Sequence, residues 1–266
     1  MRFQYALKDY KGYAEIVPPD EAAGLLSFGL IKLEKGESYS SHSKEFEIGL
    51  VILSGKADVY VEGEAYLSLG GRENVFTGKA TTVYIPRDSA FKVVAVDSFE
   101  GVVCKVRAEK KLSPFVLAPE EVRVDHRGKN LWQRVVYDIF TDNVEGRVDR
   151  IVLGETINVP GHWSGYPPHK HDRFVPGKET AMHEIYHFRL RPRNRFGVQM
   201  WYTDGYELGN AYLIKDGDSC SIPFGYHPVA APPGVELYYL WVMAGNTGSR
   251  QLMPNDDPNF VELHNS

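Results

Sequence analysis

The chain has 266 residues, 43% hydrophobic and 24% charged, with a formal net charge of −5 and a pI near 6.0. This is the composition of a folded globular protein, and its acidic balance argues against a nucleic-acid partner, whose phosphates need a surplus of Lys and Arg on one face. No apolar run approaches the roughly 20 residues of a membrane-spanning helix and the N-terminus lacks the apolar core of a signal peptide, so a cytoplasmic protein with no membrane partner is expected.

Along the chain, "PPDEAAGLL" with Asp20 as a cap predicts a short helix near the N-terminus. Segments such as "LVILSGKADVYVEGEAYLSL" and "TTVYIPRDSAFKVVAV" follow, rich in β-branched and aromatic residues and punctuated by Gly, Pro and Asp, and they read as short antiparallel strands. Cys104 has no CxxC companion, and neither has Cys220, so both are expected as buried thiols. The charged "APEEVRVDHRGK" marks a boundary, giving an N-terminal domain over 1–120 and a C-terminal one over 121–266, and "KNLWQRVVYDIF" predicts a second helix over 129–140. The strand "EIYHFRL" runs into "RLRPRNR", a basic run broken by Pro192 and Asn194 and read as a hairpin loop, and strands resume at "GVQMWYTDGYELGNAYLI" and "ELYYLWVMAG". The pattern is all-β, a sandwich or barrel, whose exposed edge strands lead us to expect a symmetric homo-oligomer.

The two halves repeat each other. "GESYSSHSKEFEIGLVILSG" lies over "WSGYPPHKHD" plus "EIYHFRLRP" once a longer loop is allowed in the second copy, and "VYIPRDSAFKVVAV" lies over "CSIPFGYHPVAAPP". His42 then meets His169, Lys44 meets His171, Glu47 meets Glu184 and Ala90 meets His227. The second copy keeps four donors suited to zinc, manganese or iron, while the first puts an ammonium and a methyl group where two of them stand. One divalent ion per chain, held by His169, His171, Glu184 and His227, is the expectation, with the N-terminal copy degenerate and metal-free.

Strand periodicity supports this set. Residues two apart in a strand share a face, so His169 and His171 can chelate one ion, and "GYPP" before them stiffens the approach. On "EIYHFRL" Glu184 shares its face with Tyr186 and Phe188, while His183 and His187 point away. His227, in "PFGYHPV", arrives from a distant strand. A lone histidine in a β protein is usually hydrogen-bonded or superficial, so His126, His162 and His264 are read as ordinary.

An HxH pair, a strand-borne Glu and a His after a "PxGxH" turn, in a duplicated β-barrel, resemble the cupin superfamily and specifically a bicupin. Through "YPPHKHD", "EIYHFR", "FGVQMWYTD", "VAAPPGVELYYLWVMAG" and the late "NDDP", the chain resembles the 5-deoxy-glucuronate isomerases of myo-inositol catabolism. The resemblance implies two tandem jelly-roll barrels, a metal at His169, His171, Glu184 and His227, and isomerisation of a small sugar acid, 5-deoxy-glucuronate, to 2-deoxy-5-keto-gluconate. An aldose–ketose shift needs a proton shuttle, for which Tyr186, Gln199 and Tyr239 are candidates, with Tyr202 and Asp172 also near. A substrate carboxylate needs a cation, for which Lys170, Arg173 and Arg189 are candidates. The loop 172–183 is a lid or a subunit contact. A related uronate ketol-isomerase, a metal-dependent dioxygenase or a non-enzymatic sugar-binding cupin are the alternative readings.

Overall fold

The structure, a computed structural model, describes residues 2–22, 24–245 and 250–264. The chain forms two compact units. One comprises Lys8–Arg123 and Tyr137–Leu153; the other comprises the residues up to Leu7, Val124–Val136 and the chain from Gly154 onward. A single cut at 120 therefore does not describe them. Gln4 and Tyr5 pair antiparallel with Cys220 and Ser219 in the later unit, giving an edge strand its hydrogen-bonding partner.

In the first unit a six-stranded sheet runs in the order Phe115–Leu117, Thr82–Ile85, Phe46–Ser54, Phe99–Arg107, Leu26–Leu33, Gly12–Val17. A four-stranded sheet runs in the order Ser38–His42, Ala90–Ala95, Lys56–Val61, Glu64–Gly70. Ile31, Ile48, Leu50, Ile52, Val59, Val83, Phe91 and Val93 form one buried core. Phe46–Ser54 is buried along nearly its whole length, which is why it reads as a continuous apolar run rather than an alternating one. Its other face carries Glu47 and Gly49. A side chain at position 49 would collide with Leu153, so the glycine is what lets Ile151 and Leu153 pack there.

This parity corrects the internal alignment. Glu47 does not share the barrel-core face of Ile48 and Leu50; its carboxylate accepts the backbone N–H groups of Asp149, Arg150 and Ile151 and the hydroxyl of Tyr84. It is a structural clamp on the 149–151 segment. His42 lies exposed, 3.9 Å from Asp88, with its Nδ1 accepting the Lys44 amide.

A seven-stranded sheet has the order Gln4–Tyr5, Ser219–Ile222, Met182–Arg191, Glu236–Gly245, Val152–Asn158, Arg134–Phe140, Arg123–Arg127. A four-stranded sheet has the order Trp163–Ser164, Val229–Ala230, Gly197–Tyr202, Gly209–Ile214, and a small ribbon pairs His169–Lys170 with Asn255–Asp256. The architecture is the expected all-β bicupin.

Both predicted helices are reduced to single 3-10 turns, Pro19–Ala22 and Asn130–Trp132. In the second case Arg134–Phe140, "RVVYDIF", is a strand, because its β-branched and aromatic residues pack well on a pleated surface and lose side-chain freedom in a helix. "RLRPRNR" does not close a hairpin. The strand before it and the strand after it, Gly197–Tyr202, lie in different sheets, and Arg191 and Arg193 pair with Glu236 and Asp216. Cys104 and Cys220 are buried thiols, as expected. Among the described residues no helix is long and apolar enough to cross a membrane.

Candidate metal centre

The strands Met182–Arg191 and Glu236–Gly245 set the site. Their antiparallel register pairs Glu184 with Met243, Tyr186 with Trp241 and Phe188 with Tyr239, and alternation turns all six toward one face. Glu184, Tyr186, Tyr239, Trp241 and Met243 line a cavity, partly open to solvent, together with His169, His171, Thr156, Arg127 and Arg134.

His169 and His171 reach the cavity from the ribbon strand, which the "NDDP" segment braces. Asp256 pairs with His169, the Asn255 amide donates to Glu179, and Asp257 accepts the Tyr202 hydroxyl at 2.8 Å. His227 follows the turn at Gly225, whose φ of +86° and close approach to the Tyr202 carbonyl and the Trp201 ring exclude a side chain. Gln199, fully buried, donates its amide to the carbonyls of His227, Pro228 and Met200.

Among the described residues, His169, His171 and His227 are the one histidine and acidic group placed to hold a metal ion, with their donor atoms within 4.8 Å of one another. Glu184 lies beside it, buried. His171 Nδ1 lies 3.0 Å from the Met182 carbonyl oxygen and His227 Nδ1 lies 2.8 Å from that of Gly225. Each Nδ1 therefore carries the proton it donates, leaving Nε2 with a lone pair. Both Nε2 atoms are 3.2 Å from the same Glu184 oxygen, Oε2. Lone pairs so placed repel the carboxylate unless a proton or a cation lies between them. An ion with bonds of about 2.1 Å leaves adjacent donors about 3.0 to 3.4 Å apart, so the observed separations fit a shared divalent ion.

In the metal-free protein a proton competes for that place. Burial, reinforced by the charges of His227 and His171, pulls His169 down to about 3. Burial acts against the charge of Glu184 but hydrogen bonds from His171 and His227 outweigh it and hold the carboxyl at about 2. Burial likewise opposes the charge of His171, and the hydrogen bond to Glu184 overcomes it, so this imidazole is raised. Two ligands are thus ready as donors and one must give up a proton to a metal.

The other predicted residues divide. Tyr186 and Tyr239 are in the cavity with ring centroids 4.7 Å apart. Burial raises both phenols, and for Tyr186 the charge of Glu184 adds to it, so they stay protonated and act as donors. Gln199 and Tyr202 hold neighbouring structure by the bonds just described. Lys170, Arg173 and Arg189 do not line the cavity. Lys170 falls between the two histidines and so points the opposite way, to Asp172 at 3.0 Å and Glu179 at 3.6 Å. Arg173 is exposed and pairs with Asp172 and Asp204, and Arg189, one residue out of phase with Phe188, pairs with Asp216 at 3.6 Å. His183 and His187 are also out of phase, and His187 is buried against the Ser219 hydroxyl.

The loop 172–183 is tied down. The amides of Asp172 and Arg173 donate to Glu179, the Thr180 amide donates to Met253, and Asp172 accepts the Gly225 amide. The sequence reading missed Arg127, Arg134, Thr156, Trp241 and Met243. The last two were findable, because they continue the every-second-residue series from Tyr239.

The chain is 33% identical over 244 residues to a 5-deoxy-glucuronate isomerase of Geobacillus thermodenitrificans, covering 91% of this chain and 88% of that protein. It is also 33% identical to that of Bacillus subtilis strain 168 over 234 residues, 88% of this chain and 86% of the relative. The crystal structure of an IolB-like protein from Salmonella typhimurium superposes with a TM-score of 0.94 at 32% identity, covering 99% of this chain and all of that one. The oxalate decarboxylase of Lactobacillus farciminis shares the fold at a TM-score of 0.68 and 11% identity, over 96% of this chain and 88% of that one. The KduI/IolB family profile matches residues 4–263, nearly the whole length, and the chain belongs to that family.

Proposed function

We propose that this protein is a metal-dependent aldose–ketose isomerase that converts 5-deoxy-glucuronate to 2-deoxy-5-keto-gluconate in myo-inositol catabolism. His169, His171, Glu184 and His227 hold one divalent ion per chain, of zinc, manganese or iron. The observation that carries this reading is the convergence of two imidazole lone pairs on one buried carboxylate oxygen beside a cavity lined by polar and aromatic side chains. It occurs in a chain one third identical, along most of its length, to proteins named as 5-deoxy-glucuronate isomerases.

The reaction moves one proton between adjacent carbons and one between their oxygens, with no net oxidation. When bound, a divalent ion supplies Lewis-acid polarisation of the substrate's carbonyl oxygen. The protein's own groups do the remainder. Tyr186 and Tyr239, kept protonated by burial, present hydroxyl donors toward substrate oxygens in the cavity and are the groups through which a proton passes. Gln199 fixes the backbone of His227 and so its ring position; it is a positioning residue. Apolar walls from Val136, Trp241 and Met243 limit water around the reacting centre.

A cytoplasmic location belongs to this reading, beside an acidic composition. Exposed Leu208, Leu213 and Phe224 fit a homo-oligomer, which light scattering measures. The decisive experiment is metal analysis beside an isomerisation assay on 5-deoxy-glucuronate, wild type against His171→Ala. About one metal per chain, with metal and turnover both lost in the variant, is the expected result. A metal-loaded wild type that leaves this sugar unchanged refutes the substrate assignment.

A further inference from the structure

Arg134 opens the strand Arg134–Phe140 and lines the cavity that holds His169, His171, Glu184, Tyr186 and Tyr239. Its guanidinium is held from one side. Nη1 donates to the carbonyls of Trp132 at 3.2 Å and Tyr166 at 3.1 Å, and the Trp132 ring lies 6.0 Å from the guanidinium carbon. Those contacts fix the head group and leave Nε and Nη2 available. Among the described residues no carboxylate forms an ion pair with it. The acid whose charge acts on it, Asp125, is engaged by Arg127 at 2.7 Å. Arg189, also within the protein, shows the usual arrangement, with Asp216 beside it.

A largely buried cation without a counter-charge is costly, and proteins retain one mainly where an anion completes it. Of the three N–H donors left, the one on Nε and the neighbouring one on Nη2 match the two oxygens of a carboxylate in a planar fork. Burial works against the charge of Arg134, an effect an anionic ligand reverses. Arg127, also in the cavity lining, adds positive potential that its partner Asp125 partly cancels.

We propose that Arg134 binds the carboxylate of the sugar-acid substrate and thereby selects acids over neutral sugars of the same length. The substrate then spans the cavity from this guanidinium to the histidine and glutamate cluster. This rests on the isomerase reading for the identity of the sugar, while the carboxylate subsite stands on the geometry of Arg134 alone.

The test is calorimetric titration of the metal-loaded protein with D-gluconate and with D-glucitol, which differ only in carrying a carboxylate or a hydroxymethyl group at one end. Wild type should prefer gluconate by at least about tenfold, the size expected for a charge-assisted hydrogen-bonded pair. Arg134→Met should remove the preference at unchanged metal content, and Arg134→Lys should keep part of it. Equal binding of both compounds by wild type overturns the proposal without any variant, as does a preference that survives in Arg134→Met or is fully kept in Arg134→Lys. Turnover of 5-deoxy-glucuronate separates the two readings. Wild type that selects gluconate through Arg134 but leaves that sugar unchanged overturns the isomerase reading alone, and turnover with an unaltered KM in Arg134→Met overturns this one alone.

Discussion

Glu47 offers a quantitative test of the division of labour between the two units. Its oxygens accept the amides of Asp149 at 2.8 Å, Arg150 at 2.6 Å and Ile151 at 2.7 Å, and the Tyr84 hydroxyl at 2.9 Å, with the side chain fully out of solvent. Glu47→Ala strips the acceptor from four donors at once. A buried unsatisfied donor costs about 1–3 kcal/mol, and the four losses overlap because water entering the space reaches some of them, so a destabilisation of about 3–5 kcal/mol is expected. Glu47→Gln keeps the oxygen that serves Arg150 and Ile151 but sets an amide N–H against the Asp149 N–H, and about 1–2 kcal/mol is expected. The assay is urea unfolding followed by circular dichroism, with metal content measured on the folded protein. Both variants should keep wild-type metal content, because Glu47 faces away from its own barrel core and is no ligand. A Glu47→Ala protein as stable as wild type, or one that stays folded but loses its metal, would refute the clamp assignment.

Four further outcomes follow from the site. Tyr186→Phe should lower kcat by about 10²-fold while metal content is unchanged, since it removes one hydroxyl from the cavity and no ligand; metal analysis beside steady-state kinetics checks it. Metal affinity should rise with pH above 6.5 and level off once His171, raised in the metal-free protein, has lost its proton; competition titrations with a chelator at several pH values read this. The metal-free protein should lose stability as pH falls from 6.5 toward about 3, because the unfolded chain protonates His169 and the folded one does not, and Glu184 adds a loss between 4.5 and about 2. His171 contributes in the opposite sense, stabilising below 6.5 and less as pH rises through its raised value, so denaturation series on wild type and His171→Ala separate the two. Lys170→Met should cost about 3–5 kcal/mol, as it leaves the buried Glu179 and the partly buried Asp172 without their ammonium; thermal unfolding measures it.

The sequence alone determined the fold class, and the order and types of the four donors proposed for the metal. These are local facts. Ligand identity is written in the residue, and same-face projection follows from two-residue alternation at His169 and His171 and again along Glu184, Tyr186 and Phe188. Tertiary structure decided what depends on which strand lies next to which. Glu47 seemed to match Glu184 by spacing, but one residue of register put it on the opposite face of its sheet, where 149–151 returns to meet it. Lys170, Arg173 and Arg189 stand close in sequence to the proposed ligands, yet pleat and packing direct them to carboxylates outside the cavity lining, Asp172 for the first two and Asp216 for the third. Arg134 sat in a segment whose helical reading hid its parity, and only the assembled sheet brings its unpaired guanidinium into the cavity. A charge is a property of a residue, whereas its having or lacking a counter-charge is a property of neighbours that the fold alone supplies.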